Sequence, residues 1–319
     1  MNSPLGVLRA LRRHGVLGIN SRNARYTLRW NPRSKYPTVD DKLLTKELCA
    51  RAGIPTPKLL AVARHHFEIR RLRDALRDLE SFALKPARGA MGNGILVVRG
   101  REGERFRVAG GRLLGLDDLA YHAAGIISGL YALAGQTDVA FVEERLKVHP
   151  ELAAIATEGV PDVRIVVFRG VPVMAMTRLP TQRSGGRANI HQGAVAAGID
   201  LATGATTHAI LHNLPIARHP DTREALIGRA IPGFATLLEI AVRAADETGL
   251  GYVGADMVVD AEHGPVLLEM NARPGLMIQL ANRAGLLPRL RAIEDSFVAG
   301  RSVAERIALA IAIAEESPT

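Results

Sequence analysis

Two carboxylates and a carboxamide at strand-like spacing are the first residues that could do chemistry. In the stretch YVGADMVVDAEHGPVLLEMNARPGL, the β-rich runs Val253–Asp260 and Pro265–Ala272 flank the turn-type residues Ala261-Glu262-His263-Gly264. A four-residue loop sets Asp260 opposite Pro265, and counting back along both strands sets Asp256 opposite Glu269. Alternation then puts Asn271 on the face of Glu269. Facing carboxylates repel, and the apolar neighbours Ala255, Met257, Leu268 and Met270 make burial worsen that repulsion. A divalent cation reverses the sign. An all-oxygen set this small leaves coordination positions for phosphate oxygens and water, which suits Mg²⁺. The competing reading is a solvated hairpin whose acids point outward.

A second set of candidate residues surrounds glycines. The strand Ser81–Pro86, the loop Ala87-Arg88-Gly89-Ala90-Met91-Gly92-Asn93-Gly94 and the strand Ile95–Arg99 have the order of a flap. Gly89, Gly92 and Gly94 let backbone N–H groups approach phosphate, while Lys85 and Arg88 supply charge. Neither a Walker loop nor a GxGxxG spacing is present, and an ordinary hairpin loop is the bland alternative. Lys42 and Lys46, one turn apart near the start of a helix expected over 42–52, offer another anion site. In the polar loop 181–193, Arg183, Arg187, Asn189 and His191 read by themselves as a solvated connection.

The elements that must position these groups follow from pattern. A short amphipathic helix is expected over 4–14, then an irregular segment to Tyr36-Pro37. Further helices are expected over 67–79, within 113–134, over 234–248 ending at Gly249, and over 303–315. Asp138–Leu146 reads as a buried strand with acids near its end, and Asp162–Phe168 with Val171–Arg178 as a hairpin around Arg169-Gly170. With 319 residues and 47% hydrophobic content, the chain can bury two or three lobes. The single cysteine, Cys49, excludes an internal disulfide and a Cys-rich zinc site. No apolar run is long enough to span a bilayer and no signal sequence is evident, so the expected location is cytoplasmic. The net charge of +9 admits nucleic acid, an anionic surface or acidic small substrates.

The order of these signals resembles the ATP-grasp superfamily, with the nearest likeness to glutamate ligases of the RimK type. The likeness runs from Asp41 to Leu276. It is carried by DDKLLTKELCARAGIPTP, FALKPARGAMGNGI, FVEERL, DVRIVVFRGVPV, RANIHQGA, GADMVV and LEMNARPGL. The resemblance implies an α/β (α+β) fold of two α+β lobes clasping ATP, divided as a reduced N-terminal segment 1–40, a flap-bearing lobe 41–145, a metal-hairpin lobe 146–300 and a terminal helix 301–319. It also implies that Lys42, Lys85, Arg88 and the flap glycines hold phosphates, and that Glu143, Glu144, Arg145 and Leu146 form the adenine hinge. Asp162 would lie beside the nucleotide and Arg164 toward the substrate. Arg187 and Asn189 would face the transferring phosphoryl group, with Mg²⁺, or Mn²⁺ in its place, on Asp256, Glu269 and Asn271.

Three departures stand out. Only about forty residues precede Asp41, so the usual preceding domain would be rebuilt or replaced by a partner protein or a second copy. The connection 147–161 is enlarged, and Arg273 stands where the RimK type tends to have serine. The activity implied is an ATP-dependent carboxylate–amine ligase acting through an acyl phosphate, with an amino acid or peptide as substrate. The alternative is a basic nucleic-acid or ribosome-associated module. Five Tyr, seven Phe and one Trp provide no evident base-stacking platform for it.

Overall fold

The computed structural model describes residues 4–89, 92–132 and 135–317, apart from the side chains of Pro4, Leu5 and Leu8. Ala90 and Met91 of the expected flap, and Leu133 and Ala134 at the end of the expected helical stretch, lie outside the described residues. The chain forms two compact units. One comprises Met1–Val39, Leu44–Pro55 and Val148–Thr319, and the other Asp40–Leu43 with Thr56–Lys147.

The smaller unit is built on six strands: β1 (Leu59–Ala63), β2 (Phe82–Pro86), β3 (Leu96–Glu102), β4 (Arg105–Val108), β5 (Leu113–Leu114) and β6 (Ala140–Glu144). All neighbouring strands run antiparallel, in the order β1-β6-β2-β3-β4-β5. Phe82, Leu84, Val98, Phe106, Ala140 and Val142 alternate into its core, where Leu72, Leu76, Leu119 and Ile126 meet them from helices Ile69–Leu76 and Leu116–Ile127.

The larger unit has seven strands: β7 (Asp162–Phe168), β8 (Val171–Leu179), β9 (Val195–Ile199), β10 (Thr206–Leu211), β11 (Leu214–Ile216), β12 (Tyr252–Asp260) and β13 (Gly264–Asn271). They form one antiparallel sheet in the order β11-β10-β9-β8-β7-β12-β13. Every residue of β12 is buried, as its near-continuous apolar run between two partner strands requires. Helix Phe234–Thr248 contains no Gly or Pro, and buries Leu237, Leu238, Ala241, Ala244 and Ala245. It stops where Gly249 turns left-handed at φ 64°.

Both site-bearing hairpins carry a one-residue irregularity. In β12–β13 the loop is Ala261–His263, because Asp260 pairs with Gly264 and not with Pro265. A bulge at Leu268 adds the missing residue, so Asp256 still pairs with Glu269. In β7–β8, Val166 pairs with Met174 and Val167 with Pro172, leaving Val173 as the extra residue. Pro172 has no N–H to give a regular ladder.

The segment expected to be irregular before Tyr36 is largely helical, with Arg22–Thr27 and Leu28–Trp30 in helical turns. It is fastened to the sheet by Asn31, only 2% exposed. Its Nδ2 donates to the carbonyls of Tyr252 (2.7 Å) and Ala272 (3.0 Å), and its Oδ1 accepts from the Tyr252 N–H (2.9 Å). Tyr26 and Trp30 meet Phe168 edge-on, at ring distances of 5.4 and 5.5 Å. Asn31→Ala therefore strands one buried N–H and two carbonyls, and is expected to cost about 2–4 kcal/mol in urea denaturation. A loss below about 1 kcal/mol would show that the segment is not held by this residue.

Candidate active site

In the larger unit the strand pairings bring one face to a concentrated charge. Asp256 of β12 pairs with Arg164 of β7 on one side and Glu269 of β13 on the other, and Asp162 of β7 pairs with Arg178 of β8. Two-residue alternation puts Asn271 on the same face. Arg164 binds Asp256 in a two-point fork, Nε to Oδ1 at 2.6 Å and Nη2 to Oδ2 at 2.5 Å. Arg178 forks onto Asp162 at 2.6 and 2.5 Å and also donates to Asp256 Oδ2 at 2.9 Å. Asn271 Nδ2 donates to the same oxygen at 3.1 Å.

Burial dominates the electrostatics, and the arginines answer it. Asp256 is 1% exposed and Asp162 6%. For Asp256, burial raises the pKa, but Arg164 and Arg178 together outweigh it and hold the carboxyl below the ordinary range. Asp162 has one arginine, shared with its neighbour; burial against that single partner, with Asp256 nearby, pushes it up to about 6. Arg178 is held above its ordinary value, because Asp162 and Asp256 outweigh the burial that lowers it.

The donor set fits a hard cation in its chemistry. Asp256 and Glu269 stand opposite each other on β12 and β13, and facing carboxylates are stabilised by positive charge beside them. Among the described residues no three His, Cys, Asp or Glu side chains converge as a metal cage, so the candidate set is two carboxylates and one amide. Both Asp256 oxygens are engaged by guanidinium groups, and a metal at Asp256 would have to displace at least one of them.

Arg273 is exposed, with its guanidinium over the Tyr36 ring at 5.4 Å, and it makes no ion pair among the described residues. Arg187 reaches Gln192 Oε1 at 3.4 Å, while Asn189 Oδ1 accepts the His191 N–H at 3.0 Å and caps the turn Ile190–Gln192. The bonds of these two residues are local to their loop. Arg178, which the sequence reading passed over, is a full member of the cluster. The bulge explains the omission: regular counting from Phe168–Val171 places Thr177, not Arg178, opposite Asp162.

The smaller unit gathers the expected phosphate ligands in two places. Lys42 Nζ donates to the Gly89 carbonyl at 2.7 Å, and the Arg88 guanidinium lies 3.4 Å from Asp41. The loop entry is shaped by Asp138, a residue the motifs did not flag. Its buried carboxylate accepts the N–H groups of Arg88 (3.0 Å) and Val139 (2.7 Å). Gly89 is required, because a Cβ there would stand 2.3 Å from Pro86. Gly92 and Gly94 have φ of 75° and 76°. Lys85 is ion-paired with Glu143, both nearly buried. Further along β6, Glu144 accepts the Lys58 N–H at 2.7 Å and Leu146 is buried. The Arg145 Nε is buried without a hydrogen-bond partner among the described residues, an atom that a ligand in this segment would satisfy.

Comparison with known proteins agrees with this architecture. A family model described as "Sugar-transfer associated ATP-grasp" matches residues 21–295. No curated protein matches the chain. Similar solved structures include the ATP-grasp ligase PsnB complexed with a minimal precursor, at 18% identity and TM-score 0.42, covering 88% of this chain and 64% of that one. The D-cycloserine synthetase DcsG follows at 14% identity and TM-score 0.44, covering 90% and 73%. A RimK-domain ATP-grasp protein from Sphaerobacter thermophilus DSM 20745 stands at 14% and 0.41, covering 91% and 72%. The chain thus spans less than two thirds of PsnB, and the family match, not these neighbours, carries the assignment.

The cluster makes a stability prediction with a pH sign. Arg178→Met leaves Asp162 buried without a partner, at an expected cost of about 3–5 kcal/mol near pH 8. A carboxyl whose folded pKa is raised binds its proton more readily when folded. Without Arg178 that proton is bound at still higher pH than in the parent, where the value is about 6, so the cost should shrink as pH falls from 8 toward 6, and Asp162→Asn in the same chain should recover most of it. A loss that is independent of pH between 5 and 8 would contradict this account.

Proposed function

The chain belongs to the sugar-transfer associated ATP-grasp family, and on that premise we propose that it is an ATP- and Mg²⁺-dependent carboxylate–amine ligase. The observation that carries the reading is the Asp256–Glu269 pair. Two carboxyls meet on one strand pair beside Asn271, in a family whose fold is built to bind ATP. ATP would supply the phosphoryl group that activates a carboxylate, and Mg²⁺ held by Asp256, Glu269 and Asn271 would neutralise the charge that moves with it.

The chain's own residues have separable roles under this reading. Lys42, Lys85, Arg88 and the N–H groups around Gly89, Gly92 and Gly94 bind phosphate oxygens, and 143–146 holds the base. Lys85 must loosen from Glu143 to do so. Arg164 and Arg178 hold Asp256 ionised and oriented. They also supply positive charge beside the site of transfer, the kind of fixed electrostatics on which phosphoryl chemistry depends. Asp162 is tied to that cluster through Arg178. Arg187 and Asn189 are proposed to meet the transferring group.

Arg273 is proposed to receive the carboxylate substrate. It is exposed, unpaired by any carboxylate among the described residues, and set over Tyr36, and its planar fork suits a carboxylate. The amine is proposed to be glutamate or another amino acid, joined to a peptide or small acid. Among the described residues no helix is long and apolar enough to cross a membrane. The +9 charge is read as serving anionic small substrates.

ATP turnover screened against mixtures of amino acids, peptides and small carboxylic acids tests the proposal. ADP and phosphate as products support an acyl-phosphate route. Glu269→Gln should abolish turnover with the fold retained, and turnover that persists with Mg²⁺ chelated removes the metal assignment. Arg273→Ala should lower kcat/KM for the carboxylate by about 2–3 kcal/mol, with ATP affinity and Tm nearly unchanged. Equal losses in ATP affinity and Tm would return Arg273 to a structural role.

A further inference from the structure

Away from the sheet cluster, positive charge lines a pocket of about 350 Å³ formed by Ala24, Arg25, Tyr26, Arg29, Arg291 and Glu294. All six residues belong to the larger unit. Its walls are the N-terminal helical turns and helix Leu287–Asp295. Three guanidinium groups face one carboxylate. Glu294 lies 3.7 Å from Arg29, while the Arg25 and Arg291 guanidinium groups make no hydrogen bond or ion pair among the described residues.

The floor is buried and the rim is exposed. Tyr26 is 2% exposed and fixed by ring contacts to Phe168 and Tyr252. Arg25, Arg29 and Arg291 are exposed. Arg25 and Arg29 stand one helical turn apart, where like charges disfavour each other unless an anion sits between them. A volume near the lower end of small-ligand pockets calls for a small molecule and not a macromolecule.

We infer that this pocket binds a small phosphorylated dianion, a diphosphate or phosphomonoester, between Arg25, Arg29 and Arg291. Arginine forks recognise phosphate oxygens in pairs. Two negative charges balance the excess that Glu294 leaves. The Tyr26 phenol, which burial and then Glu294 hold above the ordinary tyrosine range, remains an O–H donor at the floor.

The chain carries its own reporter. Its one tryptophan, Trp30, has Arg29 over its ring at 5.3 Å and Arg169 at the same distance. An anion that draws Arg29 inward changes the environment of that indole. Titration of the full chain with pyrophosphate, and separately with a sugar phosphate, is expected to give a saturable change in Trp30 emission at constant ionic strength. Which probe saturates first identifies the source of the phosphoryl group. In Arg25→Ala/Arg291→Ala the half-saturation concentration should rise by about tenfold for each arginine removed, with the circular-dichroism melt unchanged because neither side chain is bonded. Lys85→Ala, in the other unit, should keep the response.

Equilibrium dialysis with radiolabelled pyrophosphate covers a spectroscopically silent complex: one bound equivalent should be lost in the double variant. An equal response to sodium chloride at matched ionic strength overturns the inference. So does a double variant that binds as the parent does, or a site that disappears with Lys85→Ala alone.

Discussion

Asp256 is buried on β12, between β7 and β13 of a seven-stranded sheet, and a carboxylate there is tolerable only with charge and hydrogen bonds around it. Arg164, Arg178 and Asn271 supply these from three neighbouring strands. Each supplier depends on register. A slip of one residue on β7, β8 or β13 would turn its polar side chain to the other face and leave the acid unpaired. The cluster thereby penalises every wrong alignment of these hairpins, and the bulges at Leu268 and Val173 are the local adjustments that satisfy it.

The N-terminal segment bears on the same face. Tyr252 and Phe168 pair opposite each other four residues along the strands from Asp256 and Arg164, a distance of about 13 Å that preserves the face. Tyr26 and Trp30 cover that end, Asn31 stitches it to β12, and Arg22 donates to the Pro274 carbonyl at 3.0 Å. Tyr36 then supports Arg273. Few residues are involved, yet they wall one side of the charged face and bring aromatic area and arginines next to it.

The smaller unit solves a different problem. Its glycine loop must stay open enough to expose backbone N–H groups and still keep one path. Asp138, accepting the Arg88 N–H, and Lys42, donating to Gly89, fix its entry while the following glycines take left-handed conformations. Lys85 is held by an ion pair to Glu143 on the neighbouring strand.

Sequence alone determined what short-range periodicity controls. The strand Asp162–Phe168 and the helix over 234–248 appear with the expected bounds. The glycine loop lies between its two strands, and the Asp256–Glu269 pairing is observed. That pairing was legible through two differences that cancel, a loop one residue shorter than counted and a bulge one residue long. Tertiary structure decided the rest. Arg178 joins the cluster because Pro172 cannot complete a regular ladder and a bulge turns the strand; alternation from the turn would have sent it to the other face. The helical turns before Tyr36 form where Tyr26, Trp30 and Asn31 find the sheet, a gain in burial from residues more than a hundred positions away. Local spacing encodes faces and turns, whereas a bulge, a buried charge balance and a docked segment are settled by partners that no local window contains.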